Sequence, residues 1–120
     1  MARPMCAIVP YLEHCMPLYG VEPSDPNVLP RTINNFEVMS RFQTGEHRTK
    51  DLAPGLFAAR SPVLVLAGEL APVCPVAMSD EIVAALVNAD VTYERIPDAS
   101  HDDVGPQGNS LIRAFIAADS

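Results

Sequence analysis

An unbroken apolar run occupies the middle of the chain, from Val63 to Ala67, between Pro62 and Gly68. Such a run, rich in β-branched residues, is typical of a parallel strand covered on both faces, whereas a half-exposed strand alternates apolar with polar residues. Residues 91–96 alternate in this second way, which predicts a half-buried strand at a sheet edge. Gly68 and the prolines that follow it predict an open loop after the first strand, where α/β sheets place their ligands.

Helical periodicity flanks these strands. Apolar positions three and four residues apart predict helices over residues 3–16, 31–43 and about 77–88. Polar, proline-rich or turn-rich segments predict loops at 17–30, 44–55 and 98–109. The apolar stripe of the third helix consists of Met78, Ile82, Ala85 and Leu86, and a last helix is marked by Leu111, Ile112, Phe115 and Ile116.

This order of elements predicts the α/β class. We expect residues 1–60 to form a helical and loop segment, and residues 61–120 to form a strand–helix–strand–helix unit. Within that unit, residues 62–67 and 91–96 are expected to pair in parallel, because a helix of about three turns separates them in sequence. The predicted sheet is short and parallel.

Composition narrows the function classes. The net charge of −7 disfavours nucleic acid and anionic membranes as partners, since both are bound by basic patches. We find no apolar run of about 18 residues that would span a membrane, and the N-terminal residues make a poor signal peptide. An odd number of cysteines, 3, fits a reducing compartment better than a disulfide framework, so we expect a cytoplasmic protein.

The two predicted strands and their loops resemble a known family. Residues 62–69 (PVLVLAGE) and 70–75 (LAPVCP) resemble the late, acid-bearing strand and loop of the α/β-hydrolases, and residues 96–101 (IPDASH) resemble their histidine loop. Residues 42–46 and 51–56 are similar to the end of the cap domain in proline-iminopeptidase-like members. The resemblance implies that residues 1–60 correspond to the end of a cap and residues 61–120 to the C-terminal part of the hydrolase core.

The same resemblance implies which catalytic parts are present. Hydrolases of this family carry a serine nucleophile in a Gly-x-Ser-x-Gly elbow, followed along the chain by an acid and a histidine. No serine of this chain has glycine two residues away on both sides, so a nucleophile is missing. The expected acid position is occupied by Ala71, and His101 matches the general base. A methyl group neither orients an imidazole nor stabilises its cation, so His101 is expected to be vestigial.

Other candidate residues each have a functional and a structural interpretation. Glu69 is a substitute acid or a loop carboxylate bound to nearby backbone, and we favour the second. His101 with Asp102 and Asp103 is a metal site or a solvated loop, and adjacent residues rarely converge on one ion. We therefore expect no metal and no cofactor.

The cysteines and cap carboxylates are weighed in the same way. Cys6, His14 and Cys15 could be metal or redox ligands, but their spacing matches no zinc pattern, so the two cysteines are interpreted as small packing residues. Cys74 is also interpreted as a packing residue. Glu37 and Glu46 are cap carboxylates that bind a substrate amine or exposed helix charges.

The sequence thus favours the C-terminal portion of an α/β-hydrolase of the aminopeptidase and esterase type, inactive alone. Two alternatives stay open: a non-catalytic binding or assembly module, and one half of a split hydrolase that a second chain completes. No charge or proline protects residues 63–67, so an exposed edge of this strand is expected to pair with a second copy or a partner chain.

Overall fold

A computed structural model describes residues 5–23, 25–33, 35, 37–38, 41, 45 and 49–118 of the chain. In chain order the helices are α1 (Met5–His14), α2 (Val28–Arg31), α3 (Ala53–Ala58), α4 (Val76–Ala85) and α5 (Val104–Ala118), with a 3₁₀ turn at Met16–Leu18. The strands are β1 (Val63–Gly68) and β2 (Val91–Ile96). The chain is therefore of mixed α/β type.

The sheet forms as the hydrophobic pattern predicts. β1 and β2 pair in parallel, and Val63 lies opposite Val91 while Gly68 lies opposite Ile96. The alternation of β2 holds from Val91 to Glu94, but at the end of the strand Arg95 is exposed and Ile96 is half-buried. The burial of β1 increases along the strand, from half-buried residues at its start to the buried Ala67 and Gly68.

The two long helices of the C-terminal unit lie on opposite faces of this sheet. Asp80 of α4 contacts Tyr93, whose side chain shares a face with that of Val65. Gly108 of α5 lies so close to Leu66, on the other face, that a β-carbon there would be 2.7 Å from Leu66 Cδ1. Both faces of β1 are thus in contact with a helix, as expected for a strand with a continuous apolar run.

The face that α4 turns towards the sheet differs from the predicted one. Met78 and Ile82, which belong to the predicted apolar stripe, are 51% and 41% exposed, whereas Leu86 is buried. Asp80 and Ser79, predicted in the first turn, lie one turn further in, because the helix begins at Val76. The hydrogen bonds of Asp80 to β2 turn its side of the helix inward and leave Met78 and Ile82 outside.

Three boundaries also differ from the prediction. The loop predicted at 98–109 ends at Asp103, since α5 begins at Val104 and accommodates Pro106 in its first turn, where no backbone N–H is needed. The short helices at 28–31 and 53–58 overlap the ends of the loops predicted at 17–30 and 44–55 and extend beyond them. Of the helix predicted at 31–43, residues 34, 36, 39–40 and 42–43 lie outside the described residues. Among the described ones, 31, 37–38 and 41 are helical, and 32–33 and 35 are not.

A polar cluster ties α4 to β2. The Tyr93 hydroxyl donates to Asp80 Oδ1 at 2.8 Å, and Arg95 Nη2 donates to the same oxygen at 2.6 Å. The Arg95 guanidinium also lies 5.4 Å from the centre of the Tyr93 ring. The hydrogen bond from Tyr93, followed by that from Arg95, lowers the pKa of the Asp80 carboxyl below its ordinary value of 3.8.

This cluster predicts a pH-dependent loss of stability. Folding lowers the pKa of Asp80, so the ionised carboxylate adds to the free energy of unfolding above pH 3.8. This added stability is lost as the pH falls through the lower pKa of the folded state. We expect Asp80→Asn to be less stable than the wild type at pH 7 and to approach it in strong acid, as followed by urea unfolding across pH. Glu81→Gln, at the exposed neighbouring position, is the control and should show no such convergence. A constant difference between Asp80→Asn and wild type at every pH would contradict this assignment.

None of the helices in the described part of the chain combines the length and the apolar character needed to cross a bilayer.

Candidate functional site

Two loops meet at the carboxyl end of the sheet. Because β1 and β2 run in parallel and end at the paired residues Gly68 and Ile96, the segments that follow them leave from the same edge. The first segment carries Ala71 and the second carries His101. The chain order of strand, loop, helix, strand and loop therefore brings together the two positions that the sequence singles out.

Direct backbone contacts hold these loops together. The Leu70 N–H donates to the Ala99 carbonyl oxygen at 3.0 Å. Gly68 lies so close to the second loop that a β-carbon on it would be 2.5 Å from the Ala99 carbonyl oxygen and 2.8 Å from that of Ser100. Ala71, Ala99 and Ser100 are buried at this contact. The absence of a side chain at Gly68 is what permits this approach.

Ala71 fills the expected acid position with a buried methyl group. Its N–H donates to the Gly68 carbonyl oxygen at 3.2 Å, which closes a tight turn after β1. Glu69, the alternative acid, is exposed, and its N–H continues the sheet by donating to the Ile96 carbonyl oxygen at 3.0 Å. In the described part of the chain no carboxylate hydrogen-bonds the His101 ring, so neither candidate orients it.

His101 is exposed, and its main contact is aromatic. The ring of Tyr19 lies 5.2 Å from the His101 ring, at an interplanar angle of 87°. Edge-to-face geometry of this kind is favourable because the positive edge of one ring meets the negative face of the other. His101 is therefore flanked by a tyrosine of the N-terminal segment, a contact that the sequence does not predict.

A second tyrosine, Tyr11, contacts Tyr19. The hydroxyls of Tyr11 and Tyr19 are hydrogen-bonded, and their rings lie edge to face with centroids 6.3 Å apart. The hydrogen bond between Tyr19 and Tyr11, with a smaller effect of burial, favours the protonated hydroxyl and raises the pKa of Tyr19 to about 12. Tyr19 is consequently neutral at physiological pH and serves as a packing and hydrogen-bonding group beside His101.

Backbone hydrogen bonds attach residues 18–21 to the histidine loop. The Asp102 N–H donates to the Tyr19 carbonyl oxygen at 2.7 Å, and Ser100 Oγ donates to that of Leu18 at 3.3 Å. Asp103 Oδ2 accepts the N–H groups of Ser100, at 3.0 Å, and of Val21, at 2.9 Å. Asp103 is thus a structural acceptor, and Asp102 contributes its backbone.

The metal and nucleophile candidates remain apart. Among the described residues, no group of three His, Cys, Asp or Glu side chains is arranged to hold a metal ion. Ser61 precedes β1, Ser79 and Ser110 lie within α4 and α5, and Ser100 is buried against Leu18. Serines 24, 40 and 120 lie outside the described residues. No described serine therefore occupies a strand-to-helix elbow.

The remaining candidates are two exposed cysteines, together with Cys6 and His14 of α1 and the two predicted cap carboxylates. Cys15 and Cys74 are exposed free thiols, and Cys74 adopts a left-handed backbone conformation with φ of 54°. Cys6 and His14 lie on α1, and His14 is exposed. Glu37 is exposed and accepts a hydrogen bond from Arg41 Nη2 at 2.8 Å, whereas Glu46 lies outside the described residues.

A cleft of about 750 Å³ adjoins the histidine loop. Its walls come from the N-terminal segment and from the start of α5, and they include Leu12, Met16, Pro17, Asp102, Asp103 and Pro106. Asp103 already accepts two backbone N–H groups. The cleft exists because residues 18–21 dock on the histidine loop, a contact between parts of the chain that are 82 residues apart in sequence.

No family model, curated protein or solved structure matches the chain. The resemblance to the α/β-hydrolases rests on the sequence motifs alone.

Proposed function

We propose that the chain is the C-terminal portion of an α/β-hydrolase of the proline-iminopeptidase-like branch, and that it is catalytically silent by itself. The observation that carries this proposal is the contact between the Ala71 loop and the His101 loop at the carboxyl ends of paired parallel strands. In the family, this is the place where the acid meets the histidine. The geometry supports the relationship even though alanine has replaced the acid.

The absence of catalysis is proposed because acyl transfer needs three groups that the described part of this chain does not bring together. Acyl transfer needs a nucleophile, a base that activates it and donors for the oxyanion. The described serines lack the elbow, and the His101 ring packs on Tyr19 without a carboxylate to orient it. His101 is proposed to be the vestigial base position, and Glu37 and Glu46 have no assigned substrate role.

Catalytic silence is tested by labelling and by turnover. The purified chain is expected to resist a fluorophosphonate probe, and its turnover of p-nitrophenyl esters and prolyl amides should equal that of His101→Ala. Ala71→Asp alone should restore nothing, because it supplies an orienting group for a base that has no nucleophile to activate. Stoichiometric labelling of any serine, located by peptide mass spectrometry, would show that the proposed silence is wrong.

An open strand edge supports a second candidate function. β1 pairs with β2 on one side, and on its other side no strand of the described chain is paired with it. We therefore propose, as the alternative, a non-catalytic assembly role in which a second copy or a partner chain joins this edge. A split hydrolase is the variant in which the joining chain carries the serine elbow, and a neighbouring reading frame that encodes Gly-x-Ser-x-Gly would favour it.

Charge and cysteine content suggest the partners and the cellular compartment of the chain. The acidic chain, with a net charge of −7, is proposed to work without nucleic acid or membrane partners. Its free thiols at Cys15 and Cys74 suit a reducing compartment, so we propose a cytoplasmic location.

A further inference from the structure

The backbone N–H and C=O groups of β1 point alternately towards β2 and away from it along the strand. The Val63 N–H donates to the Asp90 carbonyl oxygen at 2.9 Å, and the Glu69 N–H donates to that of Ile96 at 3.0 Å. A parallel ladder uses every second residue of a strand, so the odd-numbered residues of β1 face β2. The N–H and C=O groups of Leu64 and Leu66 consequently point to the opposite side.

The described helices leave that side open. Of the described helices and strands, β2, α4 and α5 are in contact with β1. The two helices pack on the faces of the sheet, where α4 meets Tyr93 and α5 meets Leu66. In the described part of the chain, the outward groups of Leu64 and Leu66 therefore have no backbone partner from a regular element.

The two edges of the sheet differ in charge. The outer edge belongs to β2, which exposes Glu94 and Arg95. Charged side chains are a common protection of natural strand edges against pairing. β1 carries no charge and no proline between Val63 and Gly68, so its edge lacks this protection. The ligand that matches such an edge is a neutral extended strand, because only a strand supplies N–H and C=O groups at the same repeat.

We infer that the free edge of β1 pairs antiparallel with the same edge of a second copy of the chain, with Val65 on the two-fold axis. This inference makes the proposed assembly role specific and is independent of the hydrolase relationship. β1 of another copy is itself a neutral strand with the same groups unused, and two identical edges related by a two-fold axis necessarily run antiparallel. The product is a continuous sheet in the order β2, β1, β1 of the second copy and β2 of the second copy.

The register follows from which groups are free. With Val65 on the axis, Leu64 of each copy lies opposite Leu66 of the other, and both residues donate and accept. Centring the pair on Leu64 would place Leu66 opposite Pro62, which has no N–H. Centring it on Leu66 would place Leu64 opposite Gly68, whose carbonyl oxygen already accepts the Ala71 N–H. The Val65 register is the one in which every participating group is available.

Dimerisation is tested by sedimentation equilibrium with a proline at each edge. Leu64→Pro removes an outward N–H while it leaves the ladder to β2 intact, because that ladder uses the odd-numbered residues of β1. It is expected to weaken the dimer about 30-fold, equal to about 2 kcal/mol at tenfold per 1.4 kcal/mol, since the bond is lost twice by symmetry. Val91→Pro removes an outward N–H from the other edge and should leave the dimer unchanged. Leu64→Ala separates the loss of the side chain from the loss of the N–H, and circular dichroism verifies folding of each variant.

The register is tested by cysteine crosslinking in a chain whose Cys6, Cys15 and Cys74 are replaced by serine. Residues directly opposite each other in a non-hydrogen-bonded antiparallel pair have Cα atoms about 4.5 Å apart, within the range of a disulfide. Val65→Cys should therefore form a disulfide-linked dimer when diamide takes up the two electrons and two protons released. Leu64→Cys should not, because its symmetry mate lies diagonally, beyond about 7 Å.

Three results would overturn the inference. The first is a wild-type chain that stays monomeric at about 100 µM, and the second is a folded Leu64→Pro variant that dimerises as tightly as the wild type. The third is a chain that remains monomeric alone but binds a synthetic strand peptide, which would assign the edge to a different protein. Activity and probe labelling do not enter these outcomes, so the silent-hydrolase proposal is judged separately.

Discussion

Replacing Gly68 by alanine is expected to destabilise the chain by about 3 kcal/mol, in the upper part of the range for overpacked positions. The added β-carbon would lie 2.5 Å and 2.8 Å from two backbone carbonyl oxygens of the histidine loop. Those oxygens belong to Ala99, which is 0% exposed, and Ser100, which is 3% exposed, so neither has room to retreat. Gly68 does not have a positive φ, which makes the expected cost steric rather than conformational. Urea unfolding followed by circular dichroism measures it.

Gly105→Ala is the matched control for this substitution. Gly105 lies in the first turn of α5, and a β-carbon there meets no atom within 4 Å. Alanine favours helix over glycine by up to about 1 kcal/mol, so this variant should be as stable as the wild type or slightly more stable. Equal unfolding midpoints for Gly68→Ala and Gly105→Ala would mean that the two loops are not in contact at the end of the sheet.

Leu86→Ala is expected to cost about 3 kcal/mol of the free energy of unfolding. Leu86 is 3% exposed, and the other buried apolar residues of the described chain are the alanines 67, 71 and 99. Truncating Leu86 to alanine removes apolar surface that folding buries from water. It also leaves a cavity at the end of α4, where the chain turns towards β2. The neighbouring Val87 is 63% exposed, so Val87→Ala should change stability by less than about 0.5 kcal/mol. The two variants are compared by thermal and urea unfolding. A loss as large in Val87→Ala as in Leu86→Ala would contradict the assignment of Leu86 to the core.

The sheet was predictable because its signal is local. Hydrophobic runs and alternation depend on neighbouring residues alone, and they locate both strands. The predicted helix between the strands then indicates their parallel pairing. The face of α4 was not predictable in the same way, because Asp80 turns inward to Tyr93 and Arg95 of β2. Assigning the buried face of a helix from its apolar positions assumes that an aspartate faces solvent. Here two hydrogen bonds in the tertiary structure outweigh the preference of Asp80 for water.

The start of α5 was missed for a different reason. Gly105, Pro106 and Gly108 are turn residues by composition, yet the first turn of a helix tolerates proline, and Gly108 allows the close approach of α5 to Leu66. A residue that breaks a helix in isolation can therefore be favoured where a helix packs tightly on a sheet.

The candidate site was predictable only in part. Strand order and the motifs place Ala71 and His101 on neighbouring loops, since parallel strands end at one edge. The docking of Tyr19 on His101, and the hydrogen bond that Tyr11 adds, join segments far apart in sequence. No periodicity or motif encodes such a contact, because it depends on how the N-terminal segment packs after the sheet has formed.

The two hydrogen bonds accepted by Asp103 have a consequence for the order in which the chain acquires its structure. One of them comes from Val21, which is synthesised 82 residues earlier. During translation, residues 18–21 have no histidine loop to bind until Asp103 has left the ribosome, whereas β1 and α4 can meet much sooner. The docking of residues 18–21 therefore follows the synthesis of Asp103, and until then the groups that bind this loop remain hydrated or available to chaperones.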